Sequence, residues 1–341
     1  MAKNESARKS FCQDIGLEHR YSEKILSNKF YEQVGLVEYI KLICTLFSTN
    51  YDVLTVSGYG SLESWIGLLV TKIKRKKIVV AIDSWEPSKS KPKNYLKRFF
   101  LKSSSAALSY GTKSRRMLVD LGMKQSSIFY PFHNVRNEFY NLPDSCDSQH
   151  DVENKPFIFT FVGRLSTEKC VLELVHAFEK FTRLNYGNQE FVLLIAGSGE
   201  LYSTISKLLL VYGLRSKIKM LGALETEDLI KLYDRSGCLI LPSLYEPWGL
   251  VVNEALCCGC PVLVSSNCGC IEDLCADSEF SIVFDLQDRN IEEHIFEALQ
   301  EAYRKFSFFD LKQARKAKKL GNKFSLSSAA SVYRDAITSL Y

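Results

Sequence analysis

The chain has 341 residues with 44 Lys plus Arg against 39 Asp plus Glu, a formal net charge of +5, and 46% hydrophobic residues. That length exceeds a single core and suits two domains of roughly 150 residues each, and the globular composition without low-complexity tracts excludes fibrous and disordered classes. No apolar run reaches the ~20 residues that cross a bilayer, and the first thirty residues are too charged for a signal peptide, so a cytoplasmic protein is expected.

In chain order, Glu32 to Phe47 has apolar residues at Val34, Leu36, Val37, Ile40, Leu42, Ile43 and Leu46, a spacing that predicts a helix. Tyr51 to Val56 reads as a buried strand, Ser57-Gly-Tyr-Gly60 as a turn, and Leu62 to Ile73 as a second helix. Strands follow at Lys77 to Ile82 and Ala106 to Ser109. The polar stretch Asn141 to Lys155, without periodicity, is the predicted linker. Beyond it come strands at Phe157 to Val162, Phe191 to Ala196, Ile218 to Leu221, Cys238 to Leu241 and Pro261 to Ser265, separated by helical patterns. Ser325 to Tyr341 closes the chain as a helix. Strands alternating with helices predict parallel sheets with crossovers, so the fold class is α/β with two doubly wound sheets.

The most informative segment is Leu244-Tyr-Glu-Pro-Trp-Gly-Leu-Val-Val-Asn-Glu-Ala-Leu256. Pro247 and Gly249 mark a turn after a buried strand, and Leu250 onward opens a helix. Glu246 then lies on the loop and Glu254 about one turn into the helix, with the amides of Gly249, Leu250 and Val251 between them. A helix start attracts anions, whereas carboxylates on either side are costly there unless they accept hydrogen bonds from hydroxyls. A ligand with phosphate in the middle and hydroxyls at both ends satisfies all three groups. A nucleotide sugar is such a ligand.

The spacing Glu246, seven residues, Glu254 comes with Pro242-Ser243 before it and Gly259-Cys-Pro-Val262 after it. Upstream stand Phe161-Val-Gly-Arg-Leu-Ser-Thr-Glu-Lys169, Ile195-Ala-Gly-Ser-Gly-Glu200 and Leu221-Gly-Ala-Leu224. In content and order these motifs, over residues 156 to 285, resemble the retaining glycosyltransferases of family 4, the group 1 set. The resemblance implies a GT-B architecture, two Rossmann-like domains with parallel sheets facing a cleft. Residues 1–150 would form the acceptor-side domain and 151–324 the nucleotide-sugar domain, with 325–341 a closing helix that crosses back. It places Arg164 and Lys169 on the donor diphosphate, Glu246 on the sugar hydroxyls and Glu254 on the ribose. Gly163, Gly197, Gly199, Leu221 and Gly222 would line the donor cleft, and Pro247, Gly249, Leu250 and Val251 the pyrophosphate. Asp83 and Gly58 are candidate acceptor contacts. The implied activity is retaining hexosyl transfer from a UDP- or GDP-sugar to a saccharide or lipid-linked acceptor, in surface polysaccharide or glycolipid synthesis. Two cations on the diphosphate make a metal unnecessary, and no Asp-x-Asp motif offers to hold one.

Several departures matter. Residues 1–31 contain no strand-like run and a single glycine, Gly16, so the first domain is expected to be reduced or to lack its first strand. Asp83 stands where the family usually has a histidine, and an aspartate at a strand end is equally a helix cap. Cys170 and Cys270 replace glycines of the family pattern. The competing reading is a non-catalytic or partner-dependent protein that retains the nucleotide-sugar fold; four charges kept at one site argue against it. A nicotinamide-dependent oxidoreductase fails because Gly197-Ser-Gly-Glu200 lacks the third glycine of the dinucleotide fingerprint.

Eleven cysteines, an odd number, favour reduced thiols. Cys257, Cys258, Cys260, Cys268, Cys270 and Cys275 cluster in sequence, and the reading as small buried hydrophobes outweighs a zinc site. Residues 1–150 hold 23 Lys plus Arg against 14 Asp plus Glu, densest from Lys72 to Lys77 and Lys89 to Lys102. The second cluster interleaves with Tyr95, Leu96, Phe99 and Phe100, a pattern suited to an anionic membrane surface, with a solvated helix face as the plainer alternative. A peripheral position on the inner face of the cell membrane follows as a second expectation. Nucleic acid is not expected, because no recognition motif accompanies the patch.

Overall fold

The computed structural model describes residues 35–86, 90–135, 140, 156–184, 189–277, 279–286 and 290–341. The early region 1–31 and the predicted linker 141–155 lie outside them.

The first sheet contains β1 (Val53–Ser57), β2 (Lys77–Ile82), β3 (Ala106–Ser109) and β4 (Ile128–Phe129) in sequential order, all parallel. Its helices are α1 (Leu36–Ser48), α2 (Leu62–Ile73), α3 (Lys91–Ser103) and α4 (Thr112–Asp120). Three predicted boundaries, α2, β2 and β3, match the sequence reading. β1 starts at Val53 rather than Tyr51, because the preceding residues are engaged elsewhere. The Tyr51 hydroxyl bonds Thr71 at 3.1 Å, and Asp52 pairs with Lys76 at 2.8 Å.

The second sheet contains β5 (Phe157–Val162), β6 (Phe191–Ala196), β7 (Ile218–Gly222), β8 (Cys238–Leu241), β9 (Val262–Ser265) and β10 (Ser281–Phe284). All pairings are parallel, in the order β10-β9-β8-β5-β6-β7. Its helices are α5 (Val171–Phe181), α6 (Tyr202–Val211), α7 (Thr226–Asp234), α8 (Leu250–Cys257), α9 (Ile271–Leu274), α10 (Ile291–Phe306) and α11 (Leu311–Gly321). β8 and β9 are buried at every residue, as expected of parallel strands covered by helices on both faces. One face packs Phe159, Phe161, Phe178 and Phe181, and the other Leu239, Leu241, Val252 and Leu256.

The chain moves outward from β5 through β6 to β7, then returns to place β8 on the other side of β5. Such a reversal leaves a crevice beyond the carboxyl ends of the two central strands, where open parallel sheets bind ligands. The loops after β5 and β8 therefore face one another, and these loops carry Arg164, Lys169 and Glu246.

A last helix, α12 (Leu326–Thr338), leaves the second sheet and packs on the first. Ala336 is buried with Val79, Ala106 and Leu108, and the Tyr333 hydroxyl bonds that of Tyr110. Where the chain passes between the sheets, Val135 and Ser325 form a parallel bridge. The domains also meet at α4 and α9. Asp273 accepts from the Thr112 amide at 2.9 Å and its hydroxyl at 2.5 Å, and Arg116 forks onto Glu272 at 2.7 and 3.2 Å.

The six clustered cysteines are buried, and among the described residues no three His, Cys, Asp or Glu side chains converge as metal ligands. Cys257, Cys258 and Cys260 pack in the core beside Val262 and Leu256. Burial pushes the Cys257 and Cys260 thiols up to about 12, so they stay protonated.

Candidate active site

The loops after β5 and β6 touch backbone to backbone. Gly163 donates to the Ala196 carbonyl at 3.0 Å, and Leu165 to Ser198 at 2.9 Å. A Cβ on Gly197 would lie 1.8 Å from the Gly163 carbonyl oxygen, and one on Gly199 would lie 2.4 Å from that of Leu165. No side chain fits at either position. Gly197 also donates to the Gly222 carbonyl at 2.7 Å, which sets Gly163, Gly197 and Gly222 side by side across the ends of β5, β6 and β7. Leu221 stands one residue before this row, half-buried.

Arg164 is exposed at this edge, where its charge acts on the exposed Glu168 carboxylate. Lys169, by contrast, forms an ion pair with Glu246, both side chains being about 15% exposed or less. The family resemblance implies that these two charges serve different parts of a ligand; with no ligand bound they pair with each other. Cys170 follows in the left-handed region at φ +50°, which explains the glycine of the family pattern at that position.

The Glu246 loop is strapped to the loop after β9. Glu246 donates to the Asn267 carbonyl at 3.1 Å, Gly269 donates to the Glu246 carbonyl at 2.9 Å, and Cys270 to Trp248 at 3.2 Å. A Cβ on Gly269 would lie 1.9 Å from the Pro247 carbonyl oxygen, so that closeness requires glycine. Gly249 takes φ +106° and caps α8, beyond which Leu250 and Val251 begin the helix. The first amides of a helix have no intrahelical acceptor, so this turn offers unpaired donors about the loop that carries Glu246.

Glu254, one turn into α8, accepts from the fully buried Tyr233 hydroxyl at 2.7 Å. Tyr140 provides a second hydrogen bond to the same carboxylate. Burial raises the Glu254 pKa, and the two phenols oppose that rise. Neither tyrosine was identified from the sequence. Tyr233 carried a signal, since a phenol on the apolar face of α7 requires a polar partner.

On the first domain, Gly58 (φ +77°) donates to the Ala81 carbonyl at 2.8 Å, which sets it beside the strand end that leads to Asp83. Asp83 is exposed. It acts electrostatically on His133, whose pKa burial lowers. His133 stacks on Tyr110 at 4.4 Å and tilts against Trp248 at 5.8 Å, so a histidine does stand between the domains, supplied from beyond β4. Trp85 reaches across to the Glu246 carbonyl at 2.9 Å. A cavity of about 420 Å³ lies behind it, lined by Asn94, Arg98, Lys113, Arg116 and Glu272 among others.

Residues 145–319 match the family model of glycosyl transferases group 1. An uncharacterized glycosyltransferase of Methanocaldococcus jannaschii is 36% identical over 121 residues, which is 36% of this chain and 30% of that protein. A glycogen synthase of Mycobacterium tuberculosis is 34% identical over 114 residues, covering 33% of this chain and 27% of its own. The chain thus spans under a third of these two curated relatives. Among solved structures, Anabaena HepE in complex with UDP and glucose superposes with a TM-score of 0.71 at 16% identity, covering 98% of this chain and 89% of that one. Sucrose-phosphate synthase of Thermosynechococcus elongatus gives 0.71 at 17%, covering 94% and 83%. At such identity the structures establish the GT-B fold, and the family match covers just over half of the sequence. The chain belongs to the group 1 glycosyltransferases.

Proposed function

We propose that the protein transfers a hexosyl group from a UDP- or GDP-sugar to a saccharide or lipid-linked acceptor, with retention of configuration, in surface polysaccharide or glycolipid synthesis. The observation that carries this reading is the convergence, at one switch point, of Arg164, the Lys169–Glu246 ion pair and the start of α8. HepE, with the same fold, is described in complex with UDP-glucose.

The chemistry follows from exchange of partners. In the free protein Lys169 is neutralised by Glu246. A donor diphosphate arriving between Arg164 and the α8 amides draws the Lys169 ammonium to itself, and Glu246 is released to accept from sugar hydroxyls. The two cations and the helix start then stabilise the charge that grows on the leaving diphosphate, so transfer proceeds without a required divalent ion. Glu254, fixed by its phenols, accepts from the ribose hydroxyls. Gly58 and Asp83 face the acceptor from the opposite domain.

The deciding experiment is calorimetry with UDP and GDP, wild type against the Arg164→Ala/Lys169→Ala double variant. Each charge-assisted contact contributes about 1.5–3 kcal/mol, so affinity falls by at least a hundredfold. Equal affinity in both proteins removes the proposal. A panel of UDP- and GDP-sugars run with EDTA, and product configuration by NMR, test metal independence and retention.

A further inference from the structure

Trp85 lies three residues beyond β2 in the first domain, yet its indole serves the second. Its Nε1 donates to the Glu246 carbonyl at 2.9 Å, and its ring stacks on Tyr245 at 5.3 Å with a 28° tilt. Gly269 lies against the ring edge, where a Cβ would approach Cδ1 to 3.1 Å. Lys113, also from the first domain, sits 4.3 Å from the indole centre and donates to the Ser266 carbonyl at 2.7 Å.

These contacts fall on a weak point. The segment carrying Glu246 joins the loop after β9 through the isolated bridge Glu246 to Cys268, which continues into no strand, and through the Cys270 to Trp248 bond at 3.2 Å. Two backbone hydrogen bonds hold the main chain of Glu246 from within its own domain, at 3.1 and 2.9 Å, and Leu244 donates to the Glu168 carbonyl at 2.9 Å. The Lys169 ion pair holds the carboxylate while no donor is bound; once Lys169 turns to a diphosphate, only these few main-chain bonds set the direction of Glu246, and loop segments with few partners open readily. The indole N–H adds a third bond to the main chain of Glu246 itself, and the stack fixes the residue before it. A carboxylate that must meet sugar hydroxyls is sensitive to ångström-scale displacement.

We propose that Trp85 is a positioning residue for Glu246. Docking of the first domain aligns the sugar-binding end of the site while leaving the nucleotide end untouched. This rests on the assignment of Glu246 to the donor sugar made above. Donor binding and catalytic alignment are then separable. The second domain alone supplies the diphosphate and ribose contacts, whereas the Glu246 geometry is completed only when the indole is seated. A nucleotide sugar held by an open molecule is bound but poorly aligned, which protects it from water until the domains meet.

The test uses the full chain with Trp85→Phe, which keeps a ring against Tyr245 and deletes the N–H, and Trp85→His, which keeps a ring N–H. Binding of UDP and GDP is read by calorimetry, turnover by nucleoside diphosphate release on a UDP- and GDP-sugar panel, and loop order by amide hydrogen exchange. For Trp85→Phe the nucleotide Kd stays within about two-fold, kcat falls about ten-fold, and amides of Leu244 to Gly249 exchange about ten-fold faster, while those of β5 are unchanged. Trp85→His recovers part of the kcat. Unaltered exchange in Trp85→Phe, a Kd that worsens as much as kcat falls, or a histidine variant no better than phenylalanine overturns the inference. If neither UDP nor GDP binds the wild type, the functional reading fails instead, and the exchange comparison still decides whether Trp85 orders the loop.

Discussion

Glu254 is a carboxylate that the fold makes costly to ionise. Burial lifts its pKa above the ordinary 4.5, and the Tyr233 and Tyr140 hydroxyls only partly offset this. The folded state therefore binds a proton that the unfolded chain releases, so stability falls as pH rises from about 4.5 through the raised pKa. Glu254→Gln removes the charge and keeps the shape. Above that window the variant melts a few degrees higher than wild type, and below it the two coincide, as a set of thermal melts across pH will measure. The same variant binds UDP or GDP more weakly if the carboxylate receives the ribose, which is a stability–function trade of the usual sign. The four charged residues proposed for the donor stood out in the sequence because each lies in a motif. Their pairing was not, since Lys169 and Glu246 are 77 residues apart and Tyr233 and Glu254 are 21 apart. Such contacts follow from how strands are ordered in the sheet, which no local pattern encodes.

At the scale of elements, β2, β3, β5, β6 and β8 were legible to the residue, because doubly covered parallel strands appear as apolar runs between polar turns. β4 and β10 escaped. β4 has two residues, and β10 opens with a buried serine whose hydroxyl donates back to the Cys275 and Asp277 carbonyls, leaving a run of three apolar residues of which Val283 is exposed. The loops beyond the strands depend on close backbone approach, and two glycines allow that to be separated from backbone strain. Gly199→Ala drives a methyl into the Leu165 main chain and should cost about 1–3 kcal/mol. Gly213, at φ +65° with open space around it, should cost only about 1–2 kcal/mol for the left-handed conformation when changed to alanine. Chemical denaturation checks the two costs. The sharper contrast is in UDP binding, which Gly199→Ala weakens and Gly213→Ala leaves unchanged.

The whole molecule is electrically lopsided, with its positive excess on the first domain. On α3 the side chains divide: Phe100 and Leu101 are buried, whereas Tyr95, Leu96 and Phe99 are exposed, Phe99 at 61%. Phe99 stacks on Trp65 of α2, where Leu62, Leu69 and Ile73 are exposed as well. Apolar side chains flanked by Lys93, Arg98 and Lys102 compose a face suited to an anionic bilayer, and Arg98 also lines the cavity behind Trp85. We propose peripheral docking through this face, which would bring a lipid-linked acceptor to the cleft. Among the described residues no helix is long and apolar enough to cross a membrane. Replacing Lys93, Lys97, Arg98 and Lys102 by glutamine removes roughly 1 kcal/mol per charge of attraction to the surface. In sedimentation with anionic phospholipid vesicles the variant stays in the supernatant, and wild-type binding declines with salt. Equal sedimentation of both proteins rules this out.

The Val135–Ser325 bridge ties the segment that leaves the first sheet to the one that returns to it. It is one residue pair, and the Thr112–Asp273, Arg116–Glu272 and Trp85–Glu246 contacts hold the same two domains together. Each is a polar contact whose net contribution is only about 1 kcal/mol, because water takes the place of a lost partner. The seam between the domains is therefore a sum of small terms, and Trp85 can part from Glu246 without either sheet coming apart.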